Sequence, residues 1–98
     1  MILETTNYYP LPGKEAEVLA QRRTATAIRV ALGLEPGEIF VRLDGQGPSV
    51  KWQCRFADAA QFEADMAARA SSGEFIAARK QMHALIERFE RHLHESAD

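Results

Sequence analysis

The sequence predicts a small α+β domain in which one antiparallel sheet carries helices on a single face. Three observations predict it. The stretch VKWQCRF alternates apolar and polar residues from Val50 to Phe56, as a half-buried strand does. The stretches KEAEVLAQRRTATAIRVAL and AAQFEADMAARA repeat with a helical period. Clusters of glycine and proline divide the chain into strand, helix, strand, strand, helix, helix. A length of 98 residues fits one domain, residues 1–98, with a modest core.

The elements follow in order. Ile2 to Tyr9, ILETTNYY, is rich in β-branched and aromatic residues and reads as the first strand, broken by the PLPG that follows. The first helix begins after Gly13, with Glu15 and Glu17 at the positive end of its dipole. Gly33 supplies a left-handed cap, and Pro36 prevents the helix from resuming. EIFVRL is a second strand, DGQGPS a turn, and VKWQCRF the hairpin partner. Asp58 caps the next helix. Ser71 with Glu74 has the form of a capping box, from which a last helix is expected to run to about Leu93.

Side-chain direction follows from these periods. Val50, Trp52, Cys54 and Phe56 share the face under the helices, while Lys51, Gln53 and Arg55 face away, so Trp52 is expected to be buried. Phe75, Ala78, Met82, Leu85, Ile86, Phe89 and Leu93 form an apolar stripe when spaced as a helix, and Phe62, Met66 and Ala70 a shorter one. In the first helix Ala16, Leu19, Ala20, Ala27, Val30, Ala31 and Leu34 gather on one side with Arg23 in their midst. A guanidinium there needs a partner, because an unpaired buried charge is costly. Three arrangements satisfy it: a snorkelling head, an ion pair with Glu63, or an anionic ligand.

Composition excludes several classes. Twelve basic and 14 acidic residues, mixed along the chain, give a net charge of -2 with no basic tail for nucleic acid or anionic lipid. No apolar run approaches a membrane span. Cys54 stands alone and cannot form an intrachain disulfide, and Glu4 lies where a signal peptide needs basic residues, so a cytoplasmic setting is expected. His83, His92 and His94 lack a zinc-type spacing, and no metal is expected. There is no glycine-rich phosphate loop; Gly45 and Gly47 punctuate the hairpin. Cys54, between Trp52 and Phe56, reads as a core thiol and not a nucleophile.

The order of elements and the stretch VKWQCRFADAAQFEADMAARASSGEFIAARKQM resemble the dimeric α+β barrel superfamily. The shared features are a tryptophan-bearing strand, an acidic helix start and a small-residue break followed by Glu-Phe. That superfamily includes antibiotic-biosynthesis-type monooxygenases, haem-degrading enzymes, muconolactone isomerases, EthD-like and NIPSNAP proteins. The resemblance implies a ferredoxin-like subunit, a homodimer whose two sheets form a shared barrel, and a pocket between sheet and helices. Two features depart from it. The superfamily's last strand is not evident, since HALIERFERHLHESAD continues a helical pattern. Asn7 matches an asparagine of the haem-degrading members, but Trp52 lies on a strand and His83 has no marked partner, so neither haem nor another cofactor is expected.

Two functions remain in competition. The first is a cofactor-free monooxygenase-like or isomerase-like protein for a small aromatic or polyketide-like molecule. Its candidate ligand-binding residues are Arg23, Trp52, Asn7, Tyr8, Tyr9 and Glu63, with no catalytic residue assigned. Tyr8 and Tyr9 point to opposite faces, so at most one of them reaches a helix-side pocket. The second is a non-catalytic dimeric module whose interior is filled by its own side chains. RNA binding on the open sheet face ranks below both, because Lys51, Gln53 and Arg55 offer charge without stacking platforms.

Overall fold

In the computed structural model, which describes residues 1–98, the chain runs β1 (Ile2–Pro10), α1 (Glu15–Ala31), β2 (Glu38–Val41), β3 (Val50–Phe56), α2 (Ala59–Ala70), α3 (Gly73–His83) and β4 (Ile86–Glu95). The strands form one antiparallel sheet in the order β2-β3-β1-β4, the arrangement of a ferredoxin-like α+β fold. Register is set by pairs such as Thr6 opposite Trp52 on one side and Thr6 opposite Arg91 on the other. No helix is long and apolar enough to cross a membrane.

The C-terminal stretch corrects the expected helix. α3 ends at His83, and residues from Ile86 onward pair with β1 along its whole length, so the last strand of the fold is present. The caps shift by one residue as well. Ser72, not Ser71, accepts the Phe75 amide at 3.1 Å, while the Ser71 hydroxyl donates to the Ala67 carbonyl at the end of α2. Asp58 caps α2 as expected, accepting the Gln61 amide at 2.8 Å.

The core lies between the sheet and the helices and contains Tyr8, Val18, Val50, Trp52, Cys54, Phe56, Met82 and Ile86. Trp52 is 2 % exposed and donates its indole N–H to the Pro36 carbonyl at 3.0 Å. The loop after α1 closes on that ring at Gly37, whose φ is +72°. A β-carbon there would collide with the indole nitrogen and lie 2.7 Å from the Gln53 carbonyl oxygen.

The phase of α1 is the second correction. The helix buries Val18, Arg22, Ala25 and Arg29, whereas Ala16, Ala20, Ala27, Val30 and Ala31 are exposed. Arg23 and Glu63 are both exposed, and no ion pair of the chain involves either. The expected Arg23–Glu63 pair is therefore absent. In its place a chain of charges, buried except at Arg91, joins four elements. Arg29 grips Asp65 bidentately at 3.0 and 2.7 Å, Arg69 reaches Asp65 at 2.6 Å and holds both oxygens of Glu4 at 3.0 and 2.5 Å, and Arg91 reaches Glu4 at 2.8 Å. Glu4 is 1 % and Arg29 0 % exposed, so these charges depend on each other for what water would otherwise supply.

Burial pushes both carboxyl groups toward higher pKa. For Glu4 the bonds and charges of Arg69 and Arg91 outweigh that effect, and for Asp65 those of Arg29 and Arg69 do, so both titrate below their ordinary range. A carboxyl depressed in the folded state contributes stability above its unfolded pKa and loses it as pH falls through the folded value. Urea unfolding should therefore show stability declining below about pH 4, with a shallower decline for Asp65→Asn. An unchanged acid profile in that variant would contradict the assignment. Asp65→Ala, which strands Arg29, should cost about 3 to 5 kcal/mol at neutral pH. Trp52→Ala should cost about 3 to 5 kcal/mol as well; a near-parental unfolding midpoint would mean the ring is dispensable to the core.

Candidate functional site

Helical packing leaves a cavity of about 320 Å³ between the sheet and the three helices. Its floor is the inward face of the sheet. Alternation along β1 brings Glu4, Thr6 and Tyr8 to that face, and β3 contributes Trp52. Met66 of α2, Phe75 and Met82 of α3 and Phe89 of β4 form apolar walls. Phe89 and the other exposed lining residues, Arg79, His83 and Arg91, mark the mouth. Gln21 ties α1 to α3 across one side, donating to the Ala78 carbonyl at 2.9 Å.

Arg22 gives the cavity its chemical character. The helical register that buries Val18 carries Arg22, one turn on, onto the same face, where it is 4 % exposed. Its guanidinium donates to the Tyr8 hydroxyl at 3.1 Å and, through two nitrogens, to the Thr26 hydroxyl at 3.4 Å. It lies 4.6 Å from the centre of the Trp52 ring. No carboxylate pairs with it. Burial opposes its charge, Tyr8 works the other way, and Arg29 and Arg69 add repulsion; the net effect is a pKa below the ordinary arginine value. Because the Tyr8 oxygen accepts from Arg22, its own O–H remains free to donate. The site thus holds a desolvated cation and a hydroxyl donor next to apolar walls, a set of groups suited to an oxyanion.

The structure separates the residues singled out from the sequence. Tyr8 and Trp52 line the cavity. Trp52 is engaged by the guanidiniums of Arg22, Arg29 and Arg69 at 4.6, 4.9 and 5.9 Å. Asn7 and Tyr9 face the opposite side of the sheet. There the Tyr9 hydroxyl donates to Glu90 at 2.7 Å, Arg88 covers the Tyr9 ring at 3.7 Å, and the Asn7 side-chain oxygen is buried without a partner. Arg23 and Glu63 lie outside the cavity altogether. Sequence reasoning missed Glu4, Arg22, Arg69 and Arg91. One signal was available: Glu4 sits at an inward position of β1, two residues before Thr6 and four before Tyr8, and a carboxylate there requires cations. Cys54 is buried, and burial pushes its thiol pKa up, as befits a packing residue.

No protein-family model matches the chain, and no curated protein does. Solved structures do. A NIPSNAP family protein from Agrobacterium tumefaciens superposes with a TM-score of 0.81 at 22% identity, over 99% of this chain and 93% of that one. An antibiotic biosynthesis monooxygenase gives 0.74 at 15% identity, over the whole of both chains. A dimeric protein of unknown function and ferredoxin-like fold from Bacteroides fragilis gives 0.72 at 14% identity, over 97% of this chain and 95% of that one. At these identities the likeness is one of architecture: the chain has the ferredoxin-like α+β fold that NIPSNAP and antibiotic biosynthesis monooxygenase structures share.

Proposed function

We propose that the chain binds a small, largely apolar molecule, aromatic or polyketide-like, through an oxyanion held by Arg22. The observation that carries this reading is the Arg22 guanidinium, 4 % exposed, lining a cavity and lacking any carboxylate partner. A buried cation that rests on two hydroxyl groups and an aromatic face is under-compensated, and an arriving carboxylate or enolate supplies what is missing. The competing reading, a module packed solid with its own side chains, loses support from a cavity of about 320 Å³, which has room for a substituted aromatic ring.

Chemistry beyond binding rests on the same two donors. Arg22 and the free Tyr8 O–H would hold an enolate or phenolate oxygen as readily as a carboxylate, which is what a cofactor-free oxygenase or isomerase requires. One structural neighbour is an antibiotic biosynthesis monooxygenase, which favours this extension. Glu4 is a poor choice of base, because two arginines hold it ionised and occupy both its oxygens.

We also place a second copy of the chain against the open face of the sheet. The orphaned Asn7 oxygen on that face and the dimeric Bacteroides fragilis neighbour support the pairing. A reducing, cytoplasmic setting suits the lone buried thiol of Cys54. Light scattering should return twice the chain mass at micromolar concentration, and a monomer mass would refute the pairing.

Trp52, the sole tryptophan, lies against Arg22 and provides the signal for testing the site. Aromatic carboxylates titrated into the protein should perturb its fluorescence. Arg22→Met should weaken that response by about ten- to a hundredfold, the worth of a hydrogen bond to a charged group, while leaving the unfolding midpoint unchanged or raised. Arg23→Met, on the exposed side of α1, should bind as the parent does. Equal binding by Arg22→Met and the parent would end the reading. A large loss of stability in Arg22→Met would assign the residue to the core instead.

A further inference from the structure

The charges around the cavity do not balance. Glu4 is the one carboxylate among the lining residues, against Arg22, Arg69, Arg79 and Arg91. Asp65 and Arg29, immediately behind, cancel each other. Two carboxylates against five guanidiniums leave an excess of three positive charges, in a chain whose net charge is -2. The surplus is therefore local to the cavity.

It is also divided between two places. At the buried end stands Arg22, which has the hydroxyls of Tyr8 and Thr26 and the Trp52 ring as its partners. At the mouth, Arg91 gives its Nε–H to Glu4, and its Nη2 faces only the Met66 sulfur at 3.6 Å, a weak acceptor. Arg79, also a lining residue, is exposed and enters no ion pair. Met66, Phe75, Met82 and Phe89 line the cavity along with these two cationic ends.

From this layout we infer that the ligand is a dianion: an apolar or aromatic body with one carboxylate seated on Arg22 and Tyr8 and a second acidic group at the mouth on Arg79 and Arg91. The inference rests on the reading of Arg22 as an oxyanion site and adds the second charge. Guanidinium favours carboxylate because its paired N–H groups match the two oxygens. The contact on Arg22 is desolvated and resists screening, whereas the mouth contact is wet and weakens with salt.

Three probes test it by calorimetry or Trp52 fluorescence: 3-phenylpropanoate, 3-(4-carboxyphenyl)propanoate and the neutral 3-phenylpropanamide. The diacid should bind at least about tenfold tighter than the monoacid at about 0.02 M salt, and the gap should narrow at about 0.3 M salt. Arg79→Gln should also narrow it, and its exposed position outside every ion pair keeps folding out of the comparison. Arg91→Gln, checked for native circular dichroism, should narrow it further. Diacid binding equal to or weaker than monoacid binding overturns the dianion while leaving Arg22 as an anion site. A diacid advantage that Arg79→Gln and Arg91→Gln both leave intact overturns the assignment of the mouth. If neither acid binds better than the amide, the oxyanion reading falls and the dianion falls with it.

Discussion

The chain of charges that runs from Arg29 through Asp65, Arg69 and Glu4 in the interior to Arg91 at the surface is the constraint on which the rest of the structure depends. It draws on α1, α2, β1 and β4, and so ties two helices to the sheet at once. Buried ions are costly unless their hydrogen bonds are complete, and here every oxygen of Glu4 and Asp65 accepts from a guanidinium. The consequence reaches the cavity. Arg69 and Arg91 are held as lining residues by their common anchor, Glu4, and both local carboxylates are fully engaged. Nothing acidic is left for Arg22.

The same constraint explains what the sequence conceals. The first strand, the hairpin, the buried face of β3 and the strand–helix order as far as α3 were legible because their periodicities involve residues of ordinary hydropathy. The phase of α1 was not. Its core-facing positions are Val18, Arg22, Ala25 and Arg29, and two of these four are arginines whose guanidiniums lie over the Trp52 indole. A hydropathy period places arginines outside and alanines inside, which selects the opposite face of this helix and, with it, Arg23.

β4 was hidden for a parallel reason. Phe89, Arg91 and Leu93 alternate with Glu90, His92 and His94, but Arg91 interrupts the apolar half of that pattern. Phe89 and Leu93, four residues apart, then fit a helix equally well. Inward arginines thus disguised both elements, and both serve the network that begins at Glu4. An acidic residue at an inward position of a central strand is the visible trace of such a network. Together with the alternation of β1, Glu4 alone calls for cations on the elements that face it.

The functional reading follows from where compensation stops. Three arginines share two carboxylates in an ordered chain, while a fourth, Arg22, is buried with only two hydroxyls and an aromatic ring. An arginine retained solely for packing would be served as well by an apolar side chain of the same reach, without the cost of desolvating its charge. Arg22 instead keeps its guanidinium in the lining of an open cavity, with its orientation fixed by Tyr8, Thr26 and Trp52. Donors held in place beforehand lose little freedom when an anion arrives, so the cost already borne by the folded protein is returned as affinity. That is a physical reason for a small fold with few inward carboxylates to leave one buried cation unpaired.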